Sequence, residues 1–384
     1  MAAGLGHCRL PAPQPLAYTS PSGAAGLGKC MLQTAYDSDP AFRATVPSSP
    51  AARLGTVCHR VLELAGAGEL PLADDPGWRE AFDQAWADAT AEQERERMRN
   101  PLEAHWPPPE RWPYYAARKV ATRRLCERIL SARASGEAGY FAGEAPTLQE
   151  QRLEAFGGKL RGRADVVQRS PEPAIEDYKT GALFDSENGE VKSQYRTQIL
   201  LYAVLEHEAT GVWPKRATLV PLQGDPVVIE IDPGEANAAA EAAITALTDY
   251  NRRVSEGTPP IDLASPSPPV CGICPYAIEC PAFWSDADTS WLAQGVVAIA
   301  GELHDLEASR VSTFNIRLQR LAGSVGAGEY LLFQLDAERF GGLVGLPPGA
   351  EIAAVWLAGD VAARQLRATQ RTRVAADTAH PTAR

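Results

Sequence analysis

A chain of 384 residues with 45% hydrophobic content is long enough for one large domain or two ordinary ones, and too apolar to be disordered throughout. Its formal net charge of −11 excludes a protein coated in positive charge for indiscriminate nucleic-acid binding. The same charge leaves room for a local basic groove and suits a site in which carboxylates hold a divalent cation.

No apolar run approaches the length of a membrane span. The opening MAAGLGHCRLPAPQPL lacks the basic start and long apolar stretch of a secretory signal, so the expected location is cytoplasmic. Residues 1–25, rich in Pro, Gly and Ala, read as a loose tail. From Cys30, CMLQTAY opens a short helix. Across 50–66, Leu54, Val57, Val61, Leu62 and Leu64 recur at helical spacing. Residues 75–100 read as one or two charged helices, followed by a Pro-rich gap. A further helix over 114–134 carries Arg118, Lys119, Arg123, Arg124, Arg128 and Arg133 against one acid, Glu127.

After Gly143 the pattern becomes that of strands. TLQEQRLEAF and KLRGRADVVQR flank Gly157-Gly158, a hairpin signal, and PEPAIEDYKTG is a third strand closed by Gly181. Residues 191–210 form a helix with Gly211 just past its end. KRATLVPLQ and PVVIEID are strands, and the Ala-rich stretch 234–256 is a helix. A Pro/Ser linker, 257–270, leads into CGICPYAIECPAF. Beyond Trp291, VVAIAGELHDL, STFNIRLQRL, YLLFQLD and EIAAVWLAG are short strands with Gly-containing turns. They predict a small all-β domain over 290–375, OB-like in character, before a tail at 376–384.

The chemistry concentrates on the second and third strands. Strand side chains alternate faces, so Asp177 and Lys179 point the same way and Tyr178 the other. If the strands pair, Asp165 sits opposite them. Two carboxylates and an ammonium at one spot are what metal-assisted phosphodiester hydrolysis needs. The carboxylates hold Mg²⁺ or Mn²⁺, and the lysine orients water or stabilises phosphoryl charge. Taken alone, D-x-K is a weak signal that also fits an exposed strand pair. Glu176 is an alternative ligand by spacing, but alternation with Lys179 favours Asp177.

GRAD ending at Asp165, followed by EDYKTG, resembles the PD-(D/E)XK nuclease superfamily. The resemblance is to its RecB-like branch, including CRISPR-associated RecB-type exonucleases and the nuclease domain of AddB. It runs from about Cys30 to Trp284. LGTVCH, residues 54–59, resembles the branch's helical histidine motif, which makes His59 a metal ligand beside Asp165 and Asp177. QILLY resembles its Q-x-x-x-Y motif, which brings Gln198 and Tyr202 to the site from one helix face. The resemblance implies a restriction-endonuclease-like α/β core, a mixed sheet flanked by helices, with a helical N-terminal insertion, over 26–284.

Cytoplasmic disulfides are improbable, so clustered thiols point to metal or redox chemistry. Cys271, Cys274 and Cys280 supply three thiolates, which select zinc or an iron–sulfur cluster. No Cys or His follows within the next twenty residues to complete a local zinc site. The RecB-like resemblance implies that the fourth ligand is Cys30, entered through SPSGAAGLGKC, and that the group is a 4Fe–4S cluster acting as a staple. Zinc on the same ligands is the alternative. Cys8, Cys58 and Cys126 read as ordinary small side chains.

The functional expectation is a divalent-metal-dependent DNA nuclease acting on single strands or ends, as an exonuclease, in repair, recombination or defence. The alternatives are a non-catalytic DNA-binding scaffold that keeps the fold and cluster, and a zinc-stabilised interaction protein. The 114–134 helix offers phosphate contacts, with Trp112, Tyr114 and Tyr115 nearby as stacking faces. Phe314, Tyr330 and Phe333 are stacking candidates in the β domain, equally readable as core.

Overall fold

The computed structural model describes residues 12–44, 46–100, 103, 106–135, 148–169, 173–185, 188–310 and 312–376. Cys8 and all but the first residue of the 376–384 tail lie outside the described residues. The helices are α1 (Pro21–Lys29), α2 (Met31–Ser38), α3 (Pro40–Arg43), α4 (Pro50–Ala67), α5 (Trp78–Arg99), α6 (Tyr115–Ser135), α7 (Ser193–Thr210), α8 (Pro233–Ser255), α9 (Pro268–Cys271), α10 (Pro281–Asp286) and α11 (Ala337–Phe340). The strands are β1 (Leu148–Ala155), β2 (Leu160–Gln168), β3 (Ala174–Lys179), β4 (Arg216–Pro221), β5 (Val227–Glu230), β6 (Ala298–Arg310), β7 (Thr313–Gly323), β8 (Glu329–Asp336), β9 (Glu351–Val355), β10 (Ala358–Asp360), β11 (Gln365–Arg367) and β12 (Arg373–Ala376). They fall into two compact units. One comprises Pro15–Gly28 and Pro47–Arg252; the other joins Lys29–Val46 to the chain from Arg253 onward.

The first unit is a three-layer α/β/α sandwich. Its sheet runs β1-β2-β3-β4-β5, antiparallel throughout except for β3 and β4, which lie parallel. A parallel pair needs a crossover, and α7 supplies it. On one face α4, α5 and α6 bury Leu54, Val61, Phe82, Trp86, Leu125 and Ile129 against Val166, Tyr178, Val220 and Leu222 of the sheet. On the other, α7 and α8 cover Val167, Ile175, Ala217 and Leu219. Burying each such Leu, Ile or Val contributes about 1.5–3 kcal/mol. Cys58 and Cys126 sit in the first of these cores as small apolar side chains, as the sequence reading expects.

Local signals set the helix ends. At the start of α4, Ser49 Oγ accepts the Ala52 N–H at 3.1 Å and Pro50 occupies the first turn. Gly68 closes the same helix at φ +81, and Gly211 closes α7 at φ +73.

The loose tail expected up to residue 25 is instead tied down from Thr19. Its N–H donates to the Lys159 carbonyl at 2.9 Å, and its carbonyl accepts the Arg161 N–H at 3.0 Å. Composition misleads here because the anchoring uses backbone groups, and because Ser20 Oγ starts α1 by accepting the Gly23 N–H at 3.0 Å.

In the second unit, β9 and β10 are two segments of one run broken at Trp356, whose φ is +59. β9 pairs with β6 and β12, β10 with β11, and β11 runs parallel to β8. With β9–β10 and β11–β12 each taken as one bent strand, the β6–β7–β8 meander closes into a five-strand barrel. That order, with α11 between the third and fourth strands, is the strand order of an OB barrel. Phe314 and Tyr330 fill its core and Phe333 is half-buried, so two of the three stacking candidates are packing residues. Trp112 and Tyr115 are likewise committed to the sandwich. Trp112 Nε1 donates to the Pro107 carbonyl, and the Tyr115 hydroxyl accepts Trp86 Nε1–H at 2.8 Å.

Gly162, on the strand that carries Asp165, touches two elements at once. A Cβ there would lie 2.8 Å from Pro21 Cδ of α1 and 2.9 Å from Tyr202 Cε1 of α7. Gly162→Ala should therefore cost about 1–3 kcal/mol by overpacking. Urea unfolding reads this as a lowered midpoint at unchanged slope; an unchanged midpoint would mean that the contact relaxes freely.

Candidate active site

The site lies where the β2–β3 ladder ends. Paired positions run from Gln168↔Ala174 to Val166↔Glu176, and the next residues are Asp165 and Asp177. There the Tyr178 N–H donates to Asp165 Oδ2 at 2.8 Å, a side chain taking the place of a strand carbonyl. Asp177 and Lys179 share a face by strand alternation and form an ion pair through Asp177 Oδ2. Gln198 of α7 bridges them. Its Oε1 accepts from Lys179 Nζ at 2.8 Å, and its Nε2 donates to Asp177 Oδ1 at 3.2 Å. His59 Nδ1, from α4, stands 3.8 Å from Asp165 Oδ2.

Five of the six residues expected at the acidic site are thus brought together, as a His59–Asp165 pair beside an Asp177–Lys179–Gln198 set. Tyr202 acts one step back: its hydroxyl donates to the Arg163 carbonyl at 2.9 Å and so holds the strand bearing Asp165. Glu176 belongs to the other face. It is buried with Tyr178, whose hydroxyl its charge pushes further up after burial itself, and its Oε2 accepts no hydrogen bond. Sequence reasoning missed Tyr195, whose ring lies 4.8 Å beneath Lys179 Nζ. The signal was available, since Tyr195 stands three residues before Gln198 on the same helix face.

The electrostatics follow from burial. The Asp177 side chain is 4% exposed. Burial, and secondly the Asp165 charge, push its carboxyl up to about 6 against the pull of Lys179. Glu176 is pushed up to about 8 by burial. Burial also lowers His59, favouring the neutral imidazole, the form with a lone pair for a metal. Among the described residues no group of three or more His, Cys, Asp or Glu forms a ready-made metal shell. The donors nevertheless suit a hard cation: two converging carboxylates, one neutral imidazole, and an Asp177 Oδ2 with no hydrogen-bond donor of good geometry.

The four thiols expected to act together all lie in the second unit. Cys30 precedes α2, Cys271 ends α9 and Cys280 precedes α10. Burial, augmented by the charges of Cys280 and Cys30, pushes Cys271 up to about 11. Cys274 and Cys280 are raised too, first by burial and then by their neighbours in the set. Protein contacts hold the segments together: the Tyr276 hydroxyl donates to Asp37 at 3.0 Å, and Tyr36 packs edge-on against Tyr276 at 5.4 Å. Arg373 of β12 pairs with Glu279 at 2.6 Å, bracing the cysteine loop against the barrel.

A model of the PD-(D/E)XK nuclease superfamily matches residues 18–281, more than half of the chain. The chain belongs to the PD-(D/E)XK nuclease superfamily. The matched span contains every expected site residue, from Cys30 to Cys280. Nucleases of this superfamily typically use Mg²⁺ or Mn²⁺, and their substrates are nucleic acids. Two solved structures are similar at 16% identity. One is SSO0001, with a TM-score of 0.24 over 44% of this chain and 79% of that one. The other is a "putative exonuclease" from Eubacterium rectale, with a TM-score of 0.37 over 62% of this chain and 82% of that one. No curated protein matches. The family assignment rests on the family model alone. Among the described residues no helix is long and apolar enough to cross a membrane.

A carboxyl raised on folding has a definite stability signature. Between its ordinary value of 3.8 and about 6, native Asp177 holds a proton that the unfolded chain has released, so metal-free stability falls as pH rises through that window. Asp177→Asn removes this loss. Differential scanning fluorimetry should show the metal-free variant melting higher than the wild type at pH 7 and losing the stabilisation that Mn²⁺ gives the wild type. Equal melting temperatures with and without Mn²⁺ in both proteins would refute a cation site at Asp177.

Proposed function

We propose that this nuclease is of the RecB-like kind and hydrolyses DNA phosphodiester bonds, as an exonuclease on single strands or ends, with Mg²⁺ or Mn²⁺ held by His59, Asp165 and Asp177. The observation carrying this reading is the convergence of two partly desolvated carboxylates, an amine and a neutral imidazole at the end of one strand pair. When bound, the cation supplies Lewis-acid polarisation of the phosphoryl group and lowers the pKa of attacking water.

The chain's own residues do the rest. The Tyr178 N–H fixes the Asp165 carboxylate. Gln198 keeps Lys179 Nζ and Asp177 in register. From that position the ammonium orients the water and offsets the negative charge that builds on the phosphoryl oxygens. Tyr195 beneath the ammonium limits its swing. A non-catalytic scaffold would gain nothing from burying Asp177 next to Asp165, an arrangement that costs stability without a cation.

The same reading includes a 4Fe–4S cluster on Cys30, Cys271, Cys274 and Cys280. Its support is a set of four thiols in one unit, three of them raised by burial and by one another's charge, on segments already joined by protein contacts. When bound, the cluster closes a long loop of chain and acts as a staple.

Two measurements test these assignments. Mn²⁺-loaded wild type should degrade end-labelled DNA, and Lys179→Ala should be slower by about 10²–10⁴; cleavage by both proteins, or by neither, removes the catalytic role. Protein purified without oxygen should be brown, and Cys274→Ala colourless and lower-melting. A colourless wild type carrying stoichiometric zinc would replace iron with zinc.

A further inference from the structure

A groove of about 1090 Å³ runs between α6 and the turn joining β4 to β5. Arg124, Glu127, Arg128 and Ser131 line one wall, and Leu222 and Gly224 the other. Its position ties it to the acidic site. The Leu222 N–H donates to the carbonyl of Lys179 itself at 3.2 Å, so one wall of the groove begins one hydrogen bond from the residue that carries the amine.

Its charge is unusual for this chain. Arg124 and Arg128 stand four residues apart, on one face of α6, and both are exposed. Among the described residues neither has an ion pair or hydrogen bond. Two other basic groups of α6 are committed: Lys119 to Asp83 at 2.8 Å, and Arg133 to the Gly66 carbonyl. In a protein of net charge −11, two unpaired guanidinium groups beside a groove call for an anionic partner. Glu127 is the one acid on the wall, and it is half-buried. No aromatic side chain lines the groove, so the partner is gripped by its charges and not by stacking. The OB barrel does not offer this chemistry on β6, whose exposed side chains include Glu302, Asp305 and Glu307.

We propose that this groove is the track for the sugar–phosphate backbone of the DNA strand, held by Arg124 and Arg128 as it approaches Asp165 and Asp177. The proposal rests on the nuclease reading above and adds where the strand lies. Arg binds phosphate through two parallel N–H donors, so each of these arginines holds one phosphate regardless of base.

The test separates strand binding from chemistry. Fluorescence anisotropy with a labelled single-stranded oligonucleotide in EDTA, over a salt series, reads the groove without cleavage. Removing an arginine should make the slope of log affinity against log salt shallower by about one. In Arg124→Ala/Arg128→Ala the loss should approach two, and Arg124→Lys/Arg128→Lys should restore most of it. Alanine keeps the helix, so melting temperature should not move. With Mn²⁺, the alanine pair should lose cleavage of long strands but keep wild-type hydrolysis of a small chromogenic phosphodiester, which reaches only the acidic site.

An unchanged slope in the alanine pair would overturn the track while leaving the nuclease reading intact. Loss of inorganic-phosphate binding with strand binding retained would also overturn it, marking a small-anion pocket. If wild type hydrolyses neither substrate, the nuclease reading fails, and the salt slope alone then decides the groove.

Discussion

Two carboxylates that repel each other are forced together at the end of a buried strand pair, and most of the first unit is arranged around that repulsion. Asp177 pays for its position in an acidity shifted to about 6 by burial and by Asp165. The neighbours reduce the cost without removing it. Lys179 supplies charge, Gln198 supplies a donor to Asp177 and an acceptor to the lysine, and the Tyr178 amide anchors Asp165. A cation between the acids would turn their repulsion into attraction.

The surrounding layers make this geometry rigid. Helix α7 performs two jobs that are usually separate. It is the crossover that lets β3 and β4 run parallel, and it delivers Tyr195, Gln198 and Tyr202 from consecutive turns. Because one face of α7 is buried among Leu201, Val204 and Leu205, its rotation is fixed by packing and the three polar groups inherit that precision. Helix α4 plays the same part from the opposite layer, presenting His59 from a turn whose neighbours Val57, Cys58 and Val61 are fully buried.

Much of this was legible in the residues. Alternation along β3 separated Asp177 and Lys179 from Glu176 and Tyr178, and the structure keeps that separation. The i, i+4 spacing brought Gln198 and Tyr202 to one helix face, though spacing could not tell that the tyrosine hydroxyl would meet the Arg163 carbonyl. What stayed hidden depended on backbone. The Thr19 bridge uses only main-chain groups, and β10, β11 and β12 are three or four residues long, too short for a period to register. The aromatic candidates misled for the opposite reason. Phe314, Tyr330, Trp112 and Tyr115 have surfaces suited to stacking, and that same apolar area draws them inward.

The ladder between β2 and β3 stops at Val166↔Glu176, one position before the two acids. Side chains in a strand alternate with a period of two, so sliding one strand past the other by a single residue would turn Asp165 and Asp177 to opposite faces of the sheet. Every acid would still be present in such a chain, and none would face its partner. Pairing alignment is therefore as much a determinant of this chemistry as the identity of the carboxylates, and the three pairs from Gln168↔Ala174 to Val166↔Glu176 govern the site without contributing an atom to it.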